Sequence, residues 1–334
     1  MVRLLQQKVT YSTMLSYEDY PDPFEVERMR FCHCNTIAHY GLLAMRAVGI
    51  PVGMITMNWR FGNNSHTTNI LWPNDTAAWY KFAIYDEFQQ MGMPKDSMAS
   101  YKTWRYTFAP NPMIMDIRSH SQEELPSFLF GNVLREDFTA IHCVTRDLTL
   151  EVPPGWEACH SLYLCRFVDW DWKPVVWGSV KDGKVTFHDA TIRQMYRLGR
   201  YDNGQTTTTG EIFVLRGDGQ VDVKTDAGPV ESVDVVYLCD PQERVLKRHF
   251  TTYYWTRRHT WEPMSAEGVL WGFNAKTSEY REFSSSLDST FVPVFYKVSY
   301  AEMPRNTVFY DDLIQRPRGI RDRLVPNDNN FIVY

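Results

Sequence analysis

Cys34-Asn-Thr-Ile-Ala-His-Tyr-Gly-Leu-Leu-Ala-Met-Arg46-Ala-Val-Gly-Ile-Pro51 is the stretch on which the reading of this chain turns. Within it Ile37, Ala38, Gly41, Met45 and Val48 recur close to a 3.6-residue period, which predicts a helix with one buried face over residues 26 to 48. Gly49 followed by Pro51 is the usual punctuation of a helix end. Cys34 therefore falls near the start of a buried helix. There, unpaired backbone N–H groups and the positive end of the macrodipole favour a thiolate.

Downstream the pattern shortens to period two. Val52 to Trp59, Thr67 to Trp72 and Trp79 to Tyr85 read as strands, the last two joined by the turn Pro73-Asn74-Asp75-Thr76. Further candidates are Thr103 to Phe108, Val144 to Val152, Ser161 to Phe167, Val175 to Val180, Lys184 to His188, Glu211 to Arg216, Gln220 to Lys224 and Val233 to Leu238. Asp182-Gly183 and Gly217-Asp218-Gly219 supply hairpin chemistry between them. Short strands with frequent turns suggest β-sandwiches rather than parallel α/β units. Boundaries are expected near residues 100 and 245, giving units over 1–100, 101–245 and 246–334. No fixed-period repeat is found, and Thr206 to Thr209 is the one low-complexity patch.

Composition excludes several classes. The 334 residues correspond to two or three domains at roughly 150 residues each. Lys and Arg number 35 against 40 Asp and Glu, a net charge of −5 with both signs interspersed, so no broad cationic face awaits a nucleic acid. Mean hydropathy is −0.39, and no apolar run approaches the ~20 residues that span a bilayer. Met1 to Lys8 lacks the apolar stretch of a secretory signal, which fits either a cytoplasmic protein or a form that begins after a removed leader. The six cysteines are too few and too scattered for a disulfide framework.

A nucleophilic cysteine needs a base, and the candidate is His66, 32 residues beyond Cys34 and just before a strand. A turn centred near residues 75 and 76 sets His66 against Tyr85 or Asp86, so that the Asp86 carboxylate can orient the imidazole. Glu87 and Asp75 are rival carboxylates. Cys34, His66 and Asp86 would form a Cys-His-Asp arrangement for acyl transfer through a thioester, with no cofactor.

The same residues carry a resemblance. Cys34 to Pro51, followed by Asn58-Trp59, Asn64-Ser65-His66 and Trp79-Tyr80-Lys81-Phe82, resembles the transglutaminase-like core. In that papain-like family a cysteine opens a helix that ends in an Arg-Ala-Leu-Gly-Ile-Pro type of signature, with histidine and aspartate on adjacent strands. Cys34 matches the family nucleophile, His66 the base, and Arg46 to Pro51 the helix end. Three positions depart from the pattern: Cys32 stands where the family commonly has Gly, Thr68 where it has Trp, and Ala83 where its aspartate falls, three residues before Asp86. More loosely, Lys102 to Arg105, Arg146 to Thr149, Tyr163 to Phe167, Trp172 to Trp177 and Met195-Tyr196 resemble the β-sandwich that follows this core in secreted bacterial relatives. The resemblance implies an α+β protein, with a papain-like transglutaminase core followed by one or two antiparallel β-sandwiches. It also implies an exported peptidase, amidase or acyltransferase acting on a peptide or protein amide.

Cys32-His33-Cys34 does not suit a metal, since three adjacent side chains cannot converge on one ion. Trp170, Trp172 and Trp177 could stack on a sugar or fill a core, and Asp169 and Asp171 read as turn acids. No phosphate loop or GxSxG elbow is present. The competing function is an inactive scaffold whose β-domains bind glycan or protein at a cell surface.

Overall fold

The computed structural model describes residues 1–12, 21–59, 65–72, 78–84, 89–91, 100–168 and 171–223, and beyond them the backbone of strands between 230 and 319. The chain opens with α1 (Val2–Gln6), β1 (Thr10–Tyr11) and α2 (Pro23–Met29). Asp22 caps α2: its carboxylate accepts from the Phe24 and Glu25 N–H groups while the Glu25 side chain reaches back to the Asp22 N–H, a complete capping box. Arg30, in the left-handed region at φ 64°, ends α2. β2 (Phe31–Cys32) then pairs in parallel with β1, and α3 (Cys34–Ala47) follows directly. The single helix expected over 26–48 is thus two helices separated by an extended step.

A six-stranded antiparallel sheet is built from β3 (Val52–Trp59), β4 (Ser65–Leu71), β5 (Tyr80–Phe82), β6 (Gln89–Gln90), β7 (Ser100–Tyr106) and, past α4 (Pro112–His120) and α5 (Ser127–Phe130), β8 (Arg135–Asp137). Its order is β6-β5-β4-β3-β7-β8. α3 lies on one face, where Ile37, Tyr40 and Met45 pack with Val52, Phe82, Ile84, Val26 and Cys32. On the other face Ile55, Met57 and Ile70 pack with Met91 and Phe138, the residue that leads into α6 (Thr139–His142). Arg46 ties the end of α3 to this sheet, donating through Nε to the Val52 carbonyl at 2.8 Å and lying 4.0 Å over the Phe108 ring.

The second sheet has seven antiparallel strands: β9 (Thr145–Glu151), β10 (Ser161–Val168), β11 (Asp171–Lys181), β12 (Lys184–Thr191), β13 (Met195–Asp202), β14 (Gln205–Leu215) and β15 (Val221–Val223), in the order β15-β14-β13-β10-β11-β12-β9. Leu148 near one edge and Leu215 and Val221 near the other share a core with Leu164, Val176, Phe187 and Tyr196, so the sheet curls around its own interior. Its outer face is buried by α4, α5 and Trp104 against Tyr163, Cys165, Phe167 and Trp172. Beyond residue 223 the described strands form two four-stranded antiparallel sheets. One joins β16 (Val230–Leu238), β19 (Val269–Asn274), β20 (Glu279–Glu282) and β21 (Phe295–Pro304). The other joins β17 (Thr252–Trp255), β18 (Trp261–Pro263), β22 (Val308–Asp311) and β23 (Arg318–Gly319).

These findings overturn the expected α+β, papain-like core followed by β-sandwiches. Strands dominate the described residues, every sheet except the two-stranded β1–β2 pair is antiparallel, and among those residues no helical papain-like lobe stands at the N-terminus. Only residues 34–47 carry a long 3.6-residue pattern there, whereas residues 52–106 carry alternating runs closed by short connections. The second region is one curled sheet rather than two facing ones. β7 begins at residue 100 and pairs with β3, and β16 pairs with β21 across residue 245, so strands of one sheet lie on both sides of each expected boundary.

Candidate active site

The Phe31–Cys32 strand delivers the chain to α3 in an extended conformation. The Ser12 N–H donates to the Cys32 carbonyl at 2.9 Å, His33 takes the N-cap position at φ −72° and ψ 160°, and the Ile37 N–H closes the first turn on the His33 carbonyl at 3.0 Å. Cys34 is therefore the first helical residue. Cys32, two positions earlier, points into the core against α3 and is fully buried. Both are free thiols.

Cys34 is 3 % exposed, and burial pushes its thiol up. Backbone N–H groups of Thr67, Asn35 and Cys34 itself work in the opposite direction, because each stabilises charge on Sγ. Thr67 is in β4, so the strand as well as the helix start presents donors to the sulfur. Sγ also lies 3.4 Å from Nδ1 and 4.0 Å from Nε2 of His33. The His33 side chain makes no capping hydrogen bond, and its ring leans on Tyr11 with centroids 6.4 Å apart.

His66 is half-buried in β4, directly opposite Met57 of β3. Residues paired across a sheet share a face, and alternate residues of a strand take opposite faces. Thr67 and Asn69 belong to the face covered by α3; Asn69 Nδ2 donates to the Ala38 carbonyl at 2.9 Å. His66 shares the opposite face with Met57 and Ile70. Lys81, opposite Ile70, and Thr103, opposite Met57, lie on that face too. Thr103 Oγ1 is 2.9 Å from Nδ1 of His142, a deeply buried imidazole pushed down to about 3 by burial, then by the charges of Lys81 and His66. Its Nε2 is buried with no hydrogen-bond partner. Cys143, also pushed up by burial, has its sulfur 3.6 Å from His142 Nδ1.

Of the sequence-predicted trio, then, Cys34 stands at the helix start with His66 one residue from the Thr67 donor and on the other sheet face. Asp86, Glu87 and Asp75 lie outside the described residues. The β4–β5 register, Ile70 opposite Lys81, is the one the turn at residues 75 and 76 calls for. The contact of His33 with the thiol was signalled in the sequence only by its adjacency to Cys34, and the burial of His142 had no signal there.

The remaining candidates resolve into packing. Trp172 is buried in the outer core of the second sheet, and Trp177 stacks edge-on against Phe130 with centroids 6.2 Å apart; Asp169 and Trp170 are outside the described residues. Cys165 is on that outer core and Cys159 on the inner one, both as free thiols. Among the described residues no three His, Cys, Asp or Glu side chains could share a metal ion, and no helix is long and apolar enough to cross a membrane. Compared with protein-family models, curated proteins and solved structures, the chain matches none of them.

Proposed function

We infer that Cys34 is the nucleophile of an acyl transfer from a peptide or glutamine-like amide, through a thioester that water or an amine resolves. One observation carries this reading: Cys34 is the first residue of α3, where the backbone N–H groups of Thr67, Asn35 and Cys34 itself favour charge on Sγ against the effect of burial. Fixed donors of this kind stabilise a thiolate and, on attack, an oxyanion beside it. Because burial keeps the thiol protonated at rest, the proton must leave as the carbon–sulfur bond forms, which requires a neighbouring base. The test is ammonia release from an N-blocked glutaminyl dipeptide, with and without a primary amine, together with intact-mass detection of an acyl adduct. Loss of both in Cys34→Ser is the expected outcome; activity that survives this substitution sinks the reading.

The 3 % exposure of Cys34 favours a second reading, a scaffold that binds protein or glycan through its β-sheets. It is distinguished by an absent adduct with every amide donor and a Cys34→Ser protein of unchanged binding behaviour.

A further inference from the structure

We propose that the base serving Cys34 is His33, the residue immediately before it, rather than His66; the assignment rests on Cys34 being the nucleophile. The first ground is contact. His33 Nδ1 is 3.4 Å from the reacting sulfur, within reach of an S–H···N hydrogen bond.

The second ground is what His33 does not do. At the start of α2 the side chain of Asp22 accepts from two backbone N–H groups, and at the start of α4 Asn111 Oδ1 accepts from the Met113 N–H at 2.9 Å. These are the residue types helix starts favour. At α3 that position holds a histidine whose ring makes no capping bond and lies against the thiol instead. The first-turn N–H groups of Cys34 and Asn35 are left to the sulfur.

The third ground is the sheet. The register Met57 opposite His66 and Thr56 opposite Thr67 runs without a bulge. It places Thr67 on the helix-covered face and His66 on the face shared with Lys81 and Thr103, where its charge is felt at His142. An imidazole there has the sheet between it and Cys34.

The step balances without an external reagent. The Cys34 S–H proton passes to a neutral His33 ring nitrogen as Sγ bonds to the amide carbon. The resulting imidazolium returns the proton to the leaving nitrogen as the C–N bond breaks, giving amine or ammonia and the thioester. Water or an amine then attacks the thioester, losing its proton to His33; the C–S bond breaks, the acid or new amide leaves, and the imidazolium returns the proton to the Cys34 thiolate.

The experiment follows iodoacetamide labelling of Cys34 from pH 5 to 10 by peptide mass spectrometry in the full chain, in His33→Ala, His33→Gln and His66→Ala, with Cys34→Ser defining the signal. Thermal unfolding verifies that each variant folds. The expected result is a pH-dependent rate enhancement that disappears in both His33 variants, with a drop of about 10-fold or more near neutral pH, and persists in His66→Ala. An enhancement that follows His66 overturns this assignment and leaves the nucleophile reading intact. A lone thiol-range inflection, identical in all four proteins, overturns both.

Discussion

A proton on His142 would be a buried cation disfavoured by Lys81 and His66, with Thr103 and Cys143 as its hydrogen-bonding neighbours. The unfolded imidazole titrates near 6.5. The folded one is pushed down to about 3, so its contribution to stability is complete above about pH 6.5 and is lost as the pH falls from there toward 3. The expected slope is at most ~1.4 kcal/mol per pH unit from this one group. His142→Asn keeps an acceptor for Thr103 Oγ1 but cannot titrate. Urea midpoints for this variant between pH 7 and 4 should be flatter than those of the parent, and parallel curves would refute the assignment. Asn69 offers a second test at this scale. It is fully buried and bonds the Ala38 carbonyl, so Asn69→Ala should cost ~1–3 kcal/mol, read as a lowered urea midpoint with unchanged slope. Both residues are ordinary polar letters in the sequence. Their weight comes from what the fold puts around them.

Between elements, the contact of α3 with β4 turns on Gly41. In an isolated helix Gly→Ala gains about 1 kcal/mol. Here an added Cβ would stand 2.8 Å from Asn69 Oδ1 and 2.9 Å from Ile84 Cδ1, and Asn69 is held by its bond to α3. Gly41→Ala should therefore destabilise by ~1–3 kcal/mol through overpacking. Introduced into Asn69→Ala, it should cost less, because the obstructing amide is gone; a double-mutant cycle from denaturant melts measures the coupling. The α3 pattern was legible in the sequence at Ile37, Ala38, Gly41 and Met45, all buried, but not at Val48, which is exposed. Thr36 and Tyr40, buried too, read as polar; the Tyr40 hydroxyl is satisfied by donating to Glu27 at 2.7 Å. The start of α4 is also written in the letters, since Asn111 followed by Pro112 is a helix-start signature. The step between α2 and α3 was not legible, because a lone Arg30 at positive φ carries no mark in the letters.

At the scale of the whole molecule, β7 joins the six-stranded and the seven-stranded sheets. It is hydrogen-bonded to β3, while Tyr101 donates its hydroxyl to the Met195 carbonyl at 3.1 Å and Trp104 enters the outer core of the second sheet. A chain cut after residue 99 loses β7 and Phe138 and so exposes Ile55, Met57 and Ile70. It is expected to show no cooperative thermal transition by circular dichroism; a sharp, reversible melt for that fragment would show the N-terminal sheet to be independent. The strand runs of the first sheet at 52–59 and 67–71, several of those in the second, the β4–β5 register and the helix opening at Cys34 were legible in the sequence alone, whereas β13 was not. Each legible feature is a local matter of periodicity, turn chemistry and capping, encoded within a few residues of where it acts. Only the tertiary structure decided that the second region is one curled sheet, that strands of one sheet flank residues 100 and 245, and that His66 shares a face with Met57 while His33 meets the thiol. Those outcomes depend on which strands pair and in what register. A shift of one residue moves every side chain to the other face, and pairing partners separated by tens of residues leave no short-range signature.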